Sequence, residues 1–528
     1  MERNRTVHII FRPQWEDGIF TNLQVQLSLG GFDYAKGELF DALPLSIAGC
    51  SCSVYHADTF RVSDAKGCVD MEFREGIGMY GSQREYAFGR ETSGTITITY
   101  DAEVERFNPF ARNPGFSLLA HDYALTGAGL AFLLLPDGEC NYHVECDFSN
   151  AGENASAIAG LYNENFALTL DRESLKNIYY AMGNLQEHHV DGSSLYIYTV
   201  DKDNLLFEEF IRTAQIYYDY ISNFFHDQSD RYHIILYPTR RTQLTGTALP
   251  GICYMGLGNK LIQHVSEVEN ILAHELTHNW CYVTGDDMMS SLFTEGTAEF
   301  YSCYMQYHTG QTDMDGYVEA FNTKLRGFYC HPTAREESFK EIYDKSWTHS
   351  YCQKIPYIKG TLLCMQLDYL MRQQSEGKKS LDDLVHIAAD EVNAGVPMTF
   401  DDFQKLANEL TNSEAQKCFD EAMTPGIAVP DSNFFGDAYE IKEETIPIAC
   451  EGFDPTVRFT DNVIRGLIPG SNAEKAGLQN GDVILRMIAD DSDPSVPTQI
   501  QVQRGEEILD FTYLAQGANV PCWQYRKK

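Results

Sequence analysis

The sequence predicts a multidomain α+β protein, on three observations. Its 528 residues exceed what one hydrophobic core holds, and at about 100–200 residues per domain they make about three domains. Short segments of alternating polarity crowd the first third, whereas helical periodicity dominates from about 297 to 423. A small strand–turn–helix–strand pattern closes the chain.

Each part follows from its own pattern. Up to about residue 190 the segments Val7-His8-Ile9-Ile10-Phe11, Leu23-Gln24-Val25-Gln26-Leu27-Ser28-Leu29 and Thr95-Ile96-Thr97-Ile98-Thr99-Tyr100 show the period of two of half-buried strands, with Gly30-Gly31 and Asp137-Gly138 as turns. Residues 1–190 therefore read as an all-β domain. From 191 to 440 strands and helices mix. Strands are expected at about 195–200, 232–237 and 252–257, and helices at about 207–225 and 261–282, the latter on the spacing of Val265, Val268, Leu272 and Leu276. A helical lobe then carries Leu362, Leu363, Leu367, Leu370 and Met371 on one strong amphipathic segment. Pro425, Gly426, Pro430 and Gly436 mark a linker at about 424–445, and residues 446–528 form the terminal unit.

Composition excludes several classes. Seventy-six Asp and Glu against 40 Lys and Arg give a net charge of −36, which repels phosphate backbones and anionic lipid surfaces, so neither nucleic acid nor membrane is an expected partner. Apolar residues at 43% and aromatics at 12% supply real cores, which argues against an acidic disordered scaffold. The 14 cysteines are scattered, with no C-x-x-C couple, and read as small buried apolar side chains. The amino-terminal residues alternate like a strand and show no secretion signal. The apolar run 130–135 is far short of the roughly 20 residues a membrane helix needs. A cytoplasmic location is expected.

The most informative residues are His274-Glu275-Leu276-Thr277-His278. On a helix, residues four apart share a face, so His274 and His278 can bind one zinc ion while Glu275 takes a proton from the water that zinc acidifies. Five residues alone are weak evidence, and their context strengthens them. Phe293-Thr294-Glu295-Gly296-Thr297-Ala298-Glu299-Phe300 reads as a further helix on which Glu295 supplies a third ligand, leaving the fourth position open as catalytic zinc requires. Glu299, one turn on, would accept the second N–H of a ligand histidine; the rival assignment makes Glu299 the ligand. Before another helix, Ile355-Pro356-Tyr357-Ile358-Lys359-Gly360 offers the phenol of Tyr357 as an oxyanion donor, with Tyr351 as the fallback.

Together, His274-Glu275-x-x-His278-Asn279-Trp280, Glu295-Gly296 and Pro356-Tyr357-x-Lys359-Gly360 resemble the gluzincin metallopeptidases related to aminopeptidase N. With the β-domain in front and the small unit behind, the chain is similar to the glycyl aminopeptidase family. The resemblance implies an N-terminal β-domain, a thermolysin-like zinc catalytic domain with helical extension over 191–440, and a C-terminal PDZ-like domain. It places zinc on His274, His278 and Glu295, the general base on Glu275 and the transition-state phenol on Tyr357.

Two departures bear on specificity. Sixteen residues, 279–294, separate His278 from Glu295, slightly fewer than in the larger aminopeptidase N group. Relatives also carry a glutamate on the strand before the zinc helix that captures the substrate's amino group. Here Gly256-Leu257-Gly258-Asn259 stands in that strand with Gly258 at the glutamate's place. These four residues are the expected substrate-binding strand, acting through backbone pairing with a peptide, and Glu267 or Glu269 would be a substitute anchor. The terminal unit resembles a bacterial-type PDZ domain through Pro469-Gly470-Ser471-x-Ala473-x-x-Ala476-Gly477-Leu478 and Asn480-Gly481-Asp482-Val483-Ile484, which implies a peptide tail as a second partner beside a peptide or protein substrate. The expected function is zinc-dependent peptide hydrolysis. The alternatives are a zinc-containing peptide-binding scaffold without peptidase activity and a zinc hydrolase of a non-peptide bond.

Overall fold

The computed structural model describes residues 5–528 apart from 17, 48–49, 110–114, 139, 152–153, 161, 164–170, 190–191, 203–207, 228, 240–244, 259–264, 282, 285–286, 347, 395, 397, 427–428 and 490–492. The chain divides into two compact units, one comprising Met1–Asp219 with Gln228–Asn279 and the other Tyr220–Asp227 with Trp280–Lys528.

In the first unit the alternating segments form a six-stranded sheet ordered Asn141–Cys146, Thr6–Glu16, Ile19–Gly30, Ile96–Glu103, Phe60–Asp64, Gly67–Cys68. The period of two sends Leu23, Val25, Leu27 and Leu29 into the core and leaves Gln24, Gln26 and Ser28 half-buried. Aromatic rings fill that core: Tyr55, Phe60, Tyr86 and Tyr100 pack with centroids 4.4–6.1 Å apart. A second six-stranded sheet contains Ala124–Ala128, Tyr179–Gly183 and Ser156–Ala159. Its Ala124, Tyr179 and Ala181 share one apolar cluster with Tyr198, Ile235 and Tyr254 of a third, five-stranded sheet.

That third sheet is ordered Gln186–His189, Leu195–Thr199, Tyr232–Thr239, Ile252–Gly258, Thr245–Leu249. Its middle pairs are parallel and its outer pairs antiparallel. Tyr232–Thr239 is buried along its whole length, as expected for a parallel strand covered on both faces. Thr245–Leu249 is absent from the sequence reading because Thr-Gly-Thr-Ala-Leu carries no apolar alternation; Pro250-Gly251, with Gly251 at φ +75°, is the turn that folds it back onto Ile252–Gly258.

The zinc-motif helix, expected over 261–282, is described over Val265–Thr277; residues 261–264 of the expected span lie outside the described residues, and the helix ends before the expected position. It stops because residues 278–280 form a turn in which the Asn279 amide bonds to Leu276 O at 3.2 Å.

The second unit is helical from Asp287–His308 to Ala415–Met423. The expected linker is shorter than the sequence suggests, because Tyr439–Ala449 pairs antiparallel with the terminal strand Gln516–Lys527. This ribbon is held to the helix Met314–Tyr329 by buried Asn322, which accepts from Tyr525 N at 2.8 Å and donates to Tyr525 O at 3.0 Å. Between the ribbon strands lies a small body with its own core of Phe453, Val457, Ile464, Leu478, Ile500 and Val502. Its short helix Asn472–Ala476 ends on Gly477 at φ +108°, the left-handed stop that glycine favours. Of the expected strand–turn–helix–strand pattern, the first strand is reduced to a single bridge, Val463 to Val483. Among the described residues no helix is long and apolar enough to cross a membrane.

Candidate metal centre

In the first unit, the two candidate histidine ligands sit at the end of the Val265–Thr277 helix. His274 projects from its last turn and His278 from the turn that follows. Their Nε2 atoms lie 3.0 Å apart and their rings are nearly perpendicular, at 86° with centroids 4.6 Å apart. Asn279 anchors that turn, since its Oδ1 accepts from Gly251 N at 2.8 Å, tying the helix end to the turn between Thr245–Leu249 and Ile252–Gly258.

Glu275, 5% exposed, points toward the outer strand. A Cβ on Gly246 would overlap its carboxylate, so the backbone of Thr245–Leu249 passes directly over Glu275. Tyr237 and Thr245 share a hydrogen bond of 2.6 Å between their hydroxyls, which fixes the start of that strand. Behind the carboxylate, Tyr179 and Tyr232 have phenols pushed up, chiefly by burial, with the negative charge of Glu275 adding to the effect. The thiol of Cys253 is raised for the same two reasons.

In the second unit, Glu295 and Glu299 lie one turn apart on Asp287–His308, and Tyr357 lies in the first turn of Ile355–Gln374. These two helices cross with backbone against backbone. A Cβ on Gly296 would overlap the main chain of Gly360, and one on Gly360 would overlap Leu292 O, so neither position accepts a side chain at this separation. The crossing positions Glu295, the residue before Gly296, and Tyr357, one turn before Gly360. Lys359 is buried and clamps a third helix: its Nζ donates to Ala422 O and Thr424 O, both at 3.0 Å, where the carbonyls of Ala415–Met423 lack helical partners. Burial lowers the Lys359 ammonium to about 8.

The first unit thus brings two imidazole nitrogens together, at His274 and His278, and the second unit carries the carboxylate of Glu295 on Asp287–His308. The donors are two imidazole nitrogens and one carboxylate oxygen, the three-ligand chemistry of an open zinc site, and a tetrahedral ion at about 2.0–2.1 Å from nitrogen sets two such ligands about 3.3 Å apart, close to the 3.0 Å found here. The donor set fits zinc in its chemistry, and the two histidines fit it in their spacing.

Other expected residues fall differently. The carboxylate of Glu299 forms an ion pair with Lys324, a partner 25 residues away in sequence that no local pattern indicates. Gly256 is not at a sheet edge, since residues 252–256 pair on both sides, whereas Leu257 and Gly258 pair on one side only, with Pro238 and Thr239. Among the described residues the outer strand is Thr245–Leu249. Asn259 lies outside the described residues, and of the side chains of Tyr351 and Glu267 nothing is described. Sequence reasoning missed Gly246, Asn279 and the packing roles of Gly296, Gly360 and Lys359. The Pro250-Gly251 hairpin signal was the available clue to Gly246.

No protein-family model and no curated protein matches the chain. Among solved structures, an aminopeptidase N family protein from Idiomarina loihiensis superposes with a TM-score of 0.65 at 13% identity, over 99% of this chain and 98% of that one. An M1 zinc metallopeptidase from Deinococcus radiodurans superposes with a TM-score of 0.47 at 15% identity, over 81% and 95%. The first of these shows that the chain shares the fold of an aminopeptidase N family protein along its length.

Proposed function

We propose that the chain is a zinc-dependent metallopeptidase. The observation that carries this reading is the pair His274 and His278, with Nε2 atoms 3.0 Å apart at one helix end, beside a buried glutamate over which an outer strand passes. His274, His278 and Glu295 would hold the ion, which when bound acidifies water and polarises the scissile carbonyl. Glu275 takes the proton of that water on a carboxylate oxygen and delivers it to the leaving amine. Tyr357 donates its phenolic proton to the developing oxyanion. The outer strand Thr245–Leu249, in place of Gly256–Asn259, takes the peptide by backbone pairing, which brings the substrate backbone over Glu275. The likeness to the Idiomarina protein supports the fold on which this chemistry rests.

Three further parts belong to the same reading. The chain is divided functionally near 190 and 440–446 into a β-domain, a catalytic domain with helical lobe, and a terminal PDZ-like unit. The terminal unit, with its own core and glycine-stopped helix, takes a peptide tail. The location is cytoplasmic, in keeping with cysteines of which nine of 14 are buried.

The test combines metal analysis with mass-spectrometric mapping of cuts in a mixed peptide library with free or blocked amino termini. One equivalent of zinc at His274, His278 and Glu295 and cleavage of free peptides support the reading. Trimming confined to free ends makes the enzyme an aminopeptidase; cuts in blocked peptides make it an endopeptidase. Zinc with no cleavage overturns it in favour of a peptide-binding scaffold, and hydrolysis confined to esters or other non-peptide bonds overturns the substrate class.

A further inference from the structure

A second group of metal-binding side chains lies in the first unit, on the face of the N-terminal sheet turned away from its core. Thr6–Glu16 and the outer strand Asn141–Cys146 run parallel, with His8 opposite His143 and Ile10 opposite Glu145. Alternation along the two strands buries Val7, Ile9, Tyr142 and Val144 and turns His8, His143 and Glu145 outward together. Both imidazoles converge on one carboxylate oxygen: Glu145 Oε1 is 3.3 Å from His8 Nε2 and 3.1 Å from His143 Nε2. The rings lie 5.1 Å apart at 36°, and one ligand atom from each residue falls within 4.8 Å of the others.

We propose that His8, His143 and Glu145 form a second divalent-metal site, selective for ions of the zinc, nickel and copper class. Two imidazoles and a carboxylate suit these borderline ions and not magnesium or calcium, which need more oxygen ligands. Separations of 3.1 and 3.3 Å match the roughly 3.3 Å between ligands of one ion at zinc–nitrogen bond lengths. The register is fixed by the buried faces of both strands, so little side-chain ordering is left for the ion to enforce. Exposures of 39%, 45% and 48% for His8, His143 and Glu145 leave room for water to complete the coordination. The chain's net charge of −36 favours cation capture at any exposed ligand set. An ion here would staple the outer strand to its neighbour, stabilising the folded state by mass action.

The experiment titrates Zn(II) into full-length protein stripped with a chelator and counts equivalents by calorimetry. The catalytic-centre variant H274A/H278A/E295Q isolates the surface site. That variant is expected to bind one equivalent, to melt at a higher temperature with zinc than without, and to lose both properties when His8→Ala and His143→Ala are added. The variant E145Q is expected to weaken the isolated site at least tenfold while leaving both strands intact. Since these side chains lie outside the proposed catalytic machinery, H8A/H143A in an otherwise natural chain loses one equivalent and keeps its peptidase rate. Absence of zinc binding in H274A/H278A/E295Q, or an equivalent that survives in that variant once H8A/H143A is added to it, overturns the proposal. A failure of the peptidase reading leaves this count unaffected, so the two stand or fall separately.

Discussion

Gly246 faces the Glu275 carboxylate with no side chain of its own, and that vacancy is what lets a strand pass over a buried acid. Gly246→Ala is expected to push Glu275 off its position and lower kcat at least tenfold while zinc content is unchanged, read by steady-state kinetics alongside metal analysis. A second residue sets local stability far from the chemistry. Asp482, 1% exposed, receives two hydrogen bonds of 2.7 Å from Arg504, which also donates to Gly477 O at 2.8 Å. Burial works against the Asp482 charge, but the Arg504 guanidinium and the Gln479 amide hold its carboxyl below the ordinary range. Its folded pKa is thus below its unfolded one, so this stabilisation is present above about pH 4 and lost as the pH falls through the folded value. Arg504→Ala strands a buried charge and is expected to cost about 3 kcal/mol, read by chemical denaturation at pH 7, with the deficit shrinking in acid.

At the scale of elements, the crossing of Asp287–His308 with Ile355–Gln374 positions two of the proposed active groups. Gly360→Ala would drive its Cβ into Leu292 O and the Gly296 backbone. Overpacking of this kind costs about 1–3 kcal/mol, and moving the helices apart carries Glu295 and Tyr357 with them. A lower melting temperature together with weaker zinc binding is expected; a variant that melts lower yet binds zinc as tightly would show that the crossing does not position Glu295. The same elements show what the sequence made legible. Alternation in Leu23–Leu29 and spacing in His274–His278 are local, because the pleat and the helical turn act over two to four residues. Glu299 and Lys359 were read from local pattern as well, but their partners, Lys324 and the carbonyls of Ala422 and Thr424, come from distant turns of other helices. The Thr245–Leu249 strand escaped for a different reason. Its half-buried small residues derive their place from pairing with Ile252–Gly258, not from a pattern of their own.

For the whole molecule, two properties of the chain have measurable consequences. A net charge of −36 predicts that, if the field reaches the proposed zinc centre, cationic peptides are cleaved faster than acidic ones of the same length at low salt, and that the ratio collapses as salt shortens the screening length. Equal rates at low salt would remove electrostatic attraction from the account. Buried histidines make stability depend on pH in a defined window. His233, whose Nδ1–H donates to Gly160 O at 2.7 Å, is lowered by burial from 6.5 to about 4. With the folded value below the unfolded one, the unfolded chain takes the proton first, so the contribution is complete above about pH 6.5 and is lost towards pH 4, amounting to about 3 kcal/mol. The urea midpoint should fall through that window, and less steeply in His233→Asn, which keeps a donor for Gly160 but does not titrate.

The central claim is that Glu275 moves the proton at a zinc centre made by His274, His278 and Glu295. Its most direct test is Glu275→Gln, with zinc content and peptide hydrolysis measured on the same preparation. The account predicts one equivalent of zinc retained at that centre and a fall in kcat of about 10²–10⁴ or more. Full zinc with an unchanged rate of hydrolysis would contradict it.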